Sequence, residues 1–201
     1  MQEKLNAILE TERLVLRPLE LDDVGVLWRE MSDPEISRYM AWDAHVERSQ
    51  TEYFVRAEIS RRESGKGSTW GIFKEDEFCG IVSLIAIIWS HRALTYKKAE
   101  LAYWLAKRYH KQGIMTEAVR QVMEYGFREL GLHKITVSHF VSNVASEKLI
   151  IRLGFRYIGE QIEEYQKNGI WYNQKNYELI EKEFFNHDLF VLRKNYDNAY
   201  R

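Results

Sequence analysis

E-L-A-Y-W-L-A-K-R-Y-H-K-Q-G-I-M-T-E-A-V-R-Q-V-M-E-Y-G-F-R-E-L, residues Glu100 to Leu130, is the stretch around which the chain is organised. It begins as a strand, Glu100 to Ala106, rich in the apolar and aromatic residues that suit a half-buried pleated surface. It ends as a helix. Ala118, Val119, Val122, Met123, Gly126, Phe127 and Leu130 recur three and four apart on one face. Between them lies a basic, glycine-containing turn, His110-Lys111-Gln112-Gly113-Ile114-Met115-Thr116. Strand, turn and helix in that order aim free backbone N–H groups and the positive end of a helix dipole at one point. Such a point binds anions, phosphates above all. Thr116 can cap the helix or add a hydroxyl to the same anion. A turn of this composition can equally be only a turn, with its basic pair solvated.

Upstream, Arg13 to Leu19 alternates as a first strand stopped near Pro18. Leu21 to Ser32 reads as a helix with Val24, Leu27, Trp28 and Met31 on one face, ended by Asp33-Pro34. A second helix spans about His45 to Arg62, with Tyr53, Phe54, Ala57 and Ile59 expected inward. Gly65-Lys66-Gly67-Ser68-Thr69 superficially suggests a phosphate loop. It lacks the first glycine at the required spacing and follows a charged helix, so it reads as a connector. Trp70 to Phe73 and Phe78 to Ile88 are strands around a polar turn, and the run Ile81 to Trp89 is expected to be buried on both faces. Ser90 to Lys98 reads as a polar loop.

Downstream, His133 to Val141 is a strand. Ser142 to Leu153 follows, with a short helix that ends at Gly154, suited to a left-handed position. Phe155 to Tyr165 and Ile170 to Ile180 form a hairpin with Asn168-Gly169 at its tip. Beyond Glu181 the tail is partly amphipathic, with Phe184, Phe185, Leu189, Phe190 and Leu192, then polar.

Composition bounds the function. With 45% apolar and 29% charged residues the chain is an ordinary globular one, long enough to bury about 70% of its unfolded surface. A net charge of −1 argues against a nucleic-acid binder that relies on bulk positive potential. Cys79 has no cysteine to pair with, which suits a reducing cytoplasm, and reads as a small buried hydrophobe. No apolar run reaches the length of a membrane span, and Met1-Gln2-Glu3-Lys4 has no signal-peptide shape. His45, His91, His133, His139 and His187 show no metal-ligand spacing. A cytoplasmic location, no metal, no nucleic acid and no membrane partner are the expectations.

Four motifs in order carry a resemblance: Thr11-Glu12-Arg13-Leu14-Val15-Leu16-Arg17, Ala99 to Leu105, Lys111 to Ala118, and Asn143, Ser146 and Gly154-Phe155. From Thr11 to Glu183 the chain resembles the GNAT superfamily of acyl-CoA-dependent N-acyltransferases, in the branch that includes ribosomal-protein N-terminal acetyltransferases. The resemblance implies an α/β fold (α+β): a mixed, mostly antiparallel central sheet flanked by helices, its fourth and fifth strands splayed. It implies a domain over residues 1–183 and a C-terminal extension over 184–201. It implies acetyl-CoA as co-substrate, its pyrophosphate on Lys111, Gln112, Gly113, Ile114, Met115 and Thr116. Its pantetheine arm would meet the backbone of Trp104, Leu105 and Ala106 and the side chain of Asn143. Asn143 is as well suited to capping the following helix.

For the chemistry, the resemblance implies that a main-chain N–H, that of Trp104, polarises the thioester carbonyl. The general base is Glu100, with Glu164 on the hairpin as its rival. Both would work better with a pKa raised by partial burial. The family's tyrosine, seven residues after Asn143, is here Ile150. Ser146 takes over its place, as a hydrogen-bond donor to the departing thiolate more than as an acid. His110 and Asn173 stand where the family often carries Gln or Arg and Asp. The implied reaction is direct acetyl transfer to a primary amine, first a protein N-terminal α-amine. A polyamine, amino acid or antibiotic is second, and a non-catalytic acyl-CoA-binding module third. Glu160, Glu163 and Glu164 would make an entrance acidic enough to attract a cation. The tail aromatics Phe184, Phe185, Phe190 and Tyr196 suggest packing on the sheet or in a homodimer.

Overall fold

The computed structural model describes residues 2–186. Phe190, Tyr196 and the rest of the polar tail lie outside them. The elements in chain order are α1 (Gln2–Leu5), β1 (Leu9–Glu10), β2 (Val15–Pro18), α2 (Val24–Met31), α3 (Pro34–Ser37), α4 (Arg48–Glu63), β3 (Ser68–Lys74), β4 (Glu77–His91), β5 (Leu94–Leu105), α5 (Ile114–Arg128), β6 (Lys134–Phe140), α6 (Val144–Arg152), β7 (Arg156–Lys167) and β8 (Ile170–Ile180). Eight strands form one sheet in the order β1-β2-β3-β4-β5-β6-β8-β7. Every neighbouring pair is antiparallel except β5–β6. Because β1 precedes them, β5 and β6 are the strands expected to splay.

The sheet is covered on both faces. On one, α5 lays Ala118, Val119, Val122, Met123 and Phe127 against Val82, Leu84, Leu101 and Ile135, all buried. On the other, Leu27 and Met31 of α2 and Val55 of α4 pack on Phe78, Ile81 and Trp104. At about 25 cal/mol per Å², such double coverage is the main force holding the sheet. Phe184, assigned to the C-terminal extension, is 2% exposed with its ring 5.3 Å from that of Phe127.

Three local expectations are corrected. Double burial of β4 stops at Leu84, because one extra residue is inserted between Ile85 and Ile88, so that Ala86 and Ile87 together oppose Ala99, and Ala86 takes a φ of 49°. The expected loop Ser90 to Lys98 is mostly ladder: β4 and β5 run on as an exposed ribbon, pairing Ser90 with Thr95 and His91 with Leu94. Both faces of that ribbon are wet, so its sequence carries no alternation to read. In α4 the inward face is Thr51, Val55, Glu58 and Arg62, while Tyr53 is 77% exposed. The buried charges are paired, Glu58 with Arg61 (2.6 Å) and Thr69 (2.5 Å), Arg62 with Leu19 O (2.9 Å) and Glu20 (2.8 Å). Pairing lets polar residues take an inward face that hydrophobic periodicity does not reveal.

Gly80 faces Leu105 across the β4–β5 ladder, and a Cβ there would meet Trp104 O at 2.3 Å. Gly80→Ala must push the two backbones apart. We expect a loss of about 1–3 kcal/mol in urea unfolding; an unchanged midpoint would show that the strands are not held so closely.

Candidate active site

β5 and β6 pair only at Lys98–Lys134, Ala99–Ile135 and Glu100–Thr136. Beyond Glu100 both strands continue, to Leu105 and Phe140, without pairing to each other. β5 stays on β4, and β6 on β8. The edges that face each other therefore carry backbone groups that the other strand does not meet.

The ladder tells which groups these are. Ala106 N–H donates to Cys79 O at 2.7 Å, continuing the register Leu105–Gly80 and Trp104–Ile81. Opposed residues in an antiparallel pair alternate between bonded and non-bonded, so Trp104 N–H points at β4. Odd-numbered residues point the other way: Lys97 O accepts from His133 N–H (2.6 Å) and Ala99 O from Thr136 Oγ1 (3.3 Å). Tyr103 and Leu105 thus turn their N–H groups into the gap. The expected main-chain donor moves from Trp104 to its two neighbours, since an offset of one residue exchanges the edges of a strand. Leu105 O is already engaged, 2.9 Å from His110 Nε2.

At the C-terminal end of β5 the chain turns into α5. Gly113 occupies the cap position with a left-handed φ of 79°, and Lys111 has a φ of 60°. Thr116 is therefore inside the first turn and not at the cap. The first intrahelical bond runs from Glu117 N–H to Gly113 O at 3.0 Å. The N–H groups of Gly113, Ile114, Met115 and Thr116 precede that ladder and face outward at the positive end of the dipole. Gln112 turns its side-chain amide back onto Arg108 O (2.9 Å).

The first motif locks this turn in place. Arg13 reaches Glu117 through Nε (2.8 Å) and Nη2 (2.6 Å) and Gln112 O through Nη1 (3.3 Å). Thr11 Oγ1 donates to the other Glu117 oxygen at 2.6 Å. Burial alone would raise the pKa of Glu117, but these donors from Thr11 and Arg13 outweigh it and hold the carboxyl below its ordinary range. The sequence shows Glu117 only as an acid in a first helical turn; nothing local points to partners more than a hundred residues away.

Across the gap stands α6. Asn143 Oδ1 accepts from Ser146 N–H at 3.1 Å, capping the helix and leaving its NH₂ as a donor. Ser146 Oγ lies 2.8 Å from Tyr103 Oη, so side chains of β5 and α6 meet where the strands part. Burial pushes the Tyr103 phenol up to about 12, with the Ser146 contact opposing it. Ile150 is fully buried in the core.

On the α2–α4 face, Glu100 stands at the last β5–β6 pair, where the gap opens. Burial raises its pKa, and Lys98 pulls it partly back. Glu164 is exposed on β7, where the ladder is irregular between Gln161 and Tyr165. Burial raises the phenol pKa of Tyr165, and the charges of Glu164 and Glu100 raise it further. Asn173 is spent on that irregularity, accepting from Glu163 N–H (2.9 Å) and donating to Glu160 (2.8 Å). Lys167 donates to Ser37 O (2.6 Å), Met40 O (2.9 Å) and Trp42 O (2.8 Å), tying the hairpin to the segment before α4. Trp42 in turn lies edge-on to Trp104 at 6.4 Å. The Trp104 indole N–H is buried without a partner among the described residues. Sequence reading missed Lys167; a lysine near a hairpin tip carries no signal of carbonyl ligation.

Among the described residues no cluster of three or more His, Cys, Asp or Glu side chains could hold a metal, and no helix is long and apolar enough to cross a membrane. Residues 13–156 match the family described as the acetyltransferase (GNAT) domain. The "Uncharacterized N-acetyltransferase YoaA" of Bacillus subtilis (strain 168) is 28% identical over 86% of this chain and 96% of its own. The spermidine N(1)-acetyltransferase of Escherichia coli (strain K12) is 27% identical over 79% of this chain and 81% of its own. In structure, RimL, the ribosomal L7/L12 alpha-N-protein acetyltransferase solved with coenzyme A, superposes with a TM-score of 0.80 at 23% identity, over 87% and 98% of the two chains.

Glu117 has a lowered folded-state pKa. Its contribution is present above the unfolded value, about 4.3, and fades as pH falls through the folded value. Glu117→Gln should therefore be less stable at pH 7 by on the order of 1 kcal/mol, with the difference closing below about pH 4. A deficit that is the same at every pH would show that its charge does not secure the turn.

Proposed function

The chain belongs to the GNAT acetyltransferase family, and on that premise we propose that it moves an acetyl group from acetyl-CoA to a primary amine, foremost a protein N-terminal α-amine, by direct attack. The observation that carries this reading is the parting of β5 from β6 beside the Gly113 turn. It offers an extended edge for a pantetheine arm, as a peptide strand adds to a sheet. It also offers outward N–H groups for a pyrophosphate. Gly113 takes a left-handed φ of 79°, which any side chain would strain, so the cradle is fitted to a bare backbone.

Each residue then has a task. Gly113 to Thr116 hold the diphosphate, with Lys111 adding charge beside it. Asn143 offers its NH₂ to a pantetheine carbonyl, and Leu105 and Ala106 bound the arm. The N–H of Tyr103 or Leu105 polarises the thioester carbonyl and meets the charge that develops on its oxygen. Glu100, its pKa raised by burial, takes a proton from the ammonium directly or through water. The freed nitrogen forms the C–N bond, the C–S bond breaks, and the electron pair leaves on sulfur opposite Ser146. Glu164 serves as the second carboxylate at the entrance, attracting the cation.

A protein N-terminus is put first on the likeness to the ribosomal-protein-serine acetyltransferase of Escherichia coli (strain K12), 26% identical over 60% of this chain and 65% of its own. The second reading, a small-molecule amine, rests on the likeness to the spermidine enzyme. Turnover of a panel of N-terminal peptides and of polyamines, read by thiol release, separates them.

A base with a raised pKa works only above it. kcat/KM should rise with pH through a limb above the ordinary carboxylate value of about 4.3. Glu100→Gln should remove the limb and cost about 10²–10⁴-fold in rate without loss of stability at pH 7, since a carboxyl with a raised pKa is itself unfavourable when ionised. Glu164→Gln should keep the limb. The reverse pattern exchanges their roles, and no change in either variant sinks both assignments.

A further inference from the structure

From the 2.8 Å contact between Tyr103 Oη and Ser146 Oγ, we infer that Tyr103 is a positioning residue for the leaving group: its hydroxyl donates to Ser146 and turns the single Ser146 proton toward the departing CoA sulfur. The inference rests on the acetyl-transfer reading above and deepens it.

A serine hydroxyl carries one proton on a free rotor and two acceptor lone pairs. Left alone, Ser146 can spend that proton on a backbone carbonyl of its own helix. Its first-turn place in α6 and the cap bond from its N–H to Asn143 fix its backbone, but neither fixes the hydroxyl. Tyr103 does. The phenol is rigid about its ring, comes from the opposite wall of the gap, and sits next to the main-chain groups turned into that gap. With its pKa pushed up to about 12, it keeps its proton throughout the working range and remains a donor. With Tyr103 donating, Ser146 must use its own proton elsewhere, and the gap is where a thiolate arrives. Two hydrogen bonds in series polarise each other, so the Ser146 donor is strengthened as well as aimed. No proton need change hands. An ordinary thiol, near 8.5, is a stronger acid than this phenol, so the pair stabilises the thiolate and does not protonate it.

The arrangement also accounts for the absence of a tyrosine at Ile150. In this chain a phenol enters from β5 and acts through a serine, so the position on α6 is free to be apolar and buried. Tyr103 escapes sequence reading because an aromatic in a strand is sufficiently explained as packing.

The test compares the affinities of CoA and desulfo-CoA, which lacks the thiol, for the intact protein by calorimetry from pH 7 to pH 9. If the pair stabilises a thiolate, wild type prefers CoA increasingly as pH rises. Tyr103→Phe should cut that preference by about 3- to 10-fold while binding desulfo-CoA as wild type does. Ser146→Ala should cut it at least as far, and the double variant no further than Ser146→Ala alone. A wild-type preference retained in Tyr103→Phe, or absent from wild type at every pH, overturns the inference and leaves the transfer reading standing. A wild type that binds neither compound overturns both.

Discussion

The structure turns on a ladder that stops. After three residue pairs β5 and β6 cease to bond, yet each is held by its other neighbour. Backbone N–H and C=O groups in a sheet are normally met, and leaving them unmet is unfavourable unless water or a ligand takes them. The fold sustains this gap by making both walls rigid. β4 supports β5 through Gly80, where backbone approaches so closely that no side chain fits, and α6 with β8 supports β6. The unmet edge is thus not a defect at the margin of the sheet but its centre, with a core packed on either face.

From that opening the two faces acquire different work. Strand alternation sends Tyr103 and Leu105 toward α5 and α6, and Glu100 and Trp104 toward α2 and α4. One face receives the turn at Gly113, the Asn143 cap and the Ser146 hydroxyl. The other receives the carboxylates, the aromatic rings and the segment tied down by Lys167. A donor molecule threaded through the gap would present its reactive end to an acceptor that approaches from the opposite face. Long-range polar ties hold the parts in register. Arg13 and Thr11 fix the helix that carries the turn, and Lys167 fixes the hairpin that carries Glu164.

Much of this could be read from the residues. The strand–turn–helix unit, the buried face of α5, the Asn-Gly hairpin and the family motifs are local patterns with local causes. Positions whose meaning depends on a distant partner were not legible. Glu117 looks like any first-turn acid, Lys167 like any surface lysine, and Tyr103 like core. α4 misled because its inward face is made of paired charges. The β4–β5 ribbon misled because neither of its faces is dry. The switch of main-chain donor from Trp104 to Tyr103 and Leu105 depends on a register that only the paired strand reveals. Glu100 is proposed as the base from its motif, and its place supports that proposal: it stands where the gap opens, partly shut off from water.

The central claim is that the gap between β5 and β6, with the turn at its end, holds an acyl-CoA. Thermal unfolding with and without acetyl-CoA, with ATP and NADH as controls, tests it most directly. At about a hundred times the dissociation constant, binding adds roughly 2.7 kcal/mol, a rise of roughly 5 to 10 °C for a chain of this size. The account predicts that rise with acetyl-CoA and none of comparable size with ATP or NADH. No rise with acetyl-CoA, or an equal rise with all three, would mean that the opening is not built for a pantetheine arm.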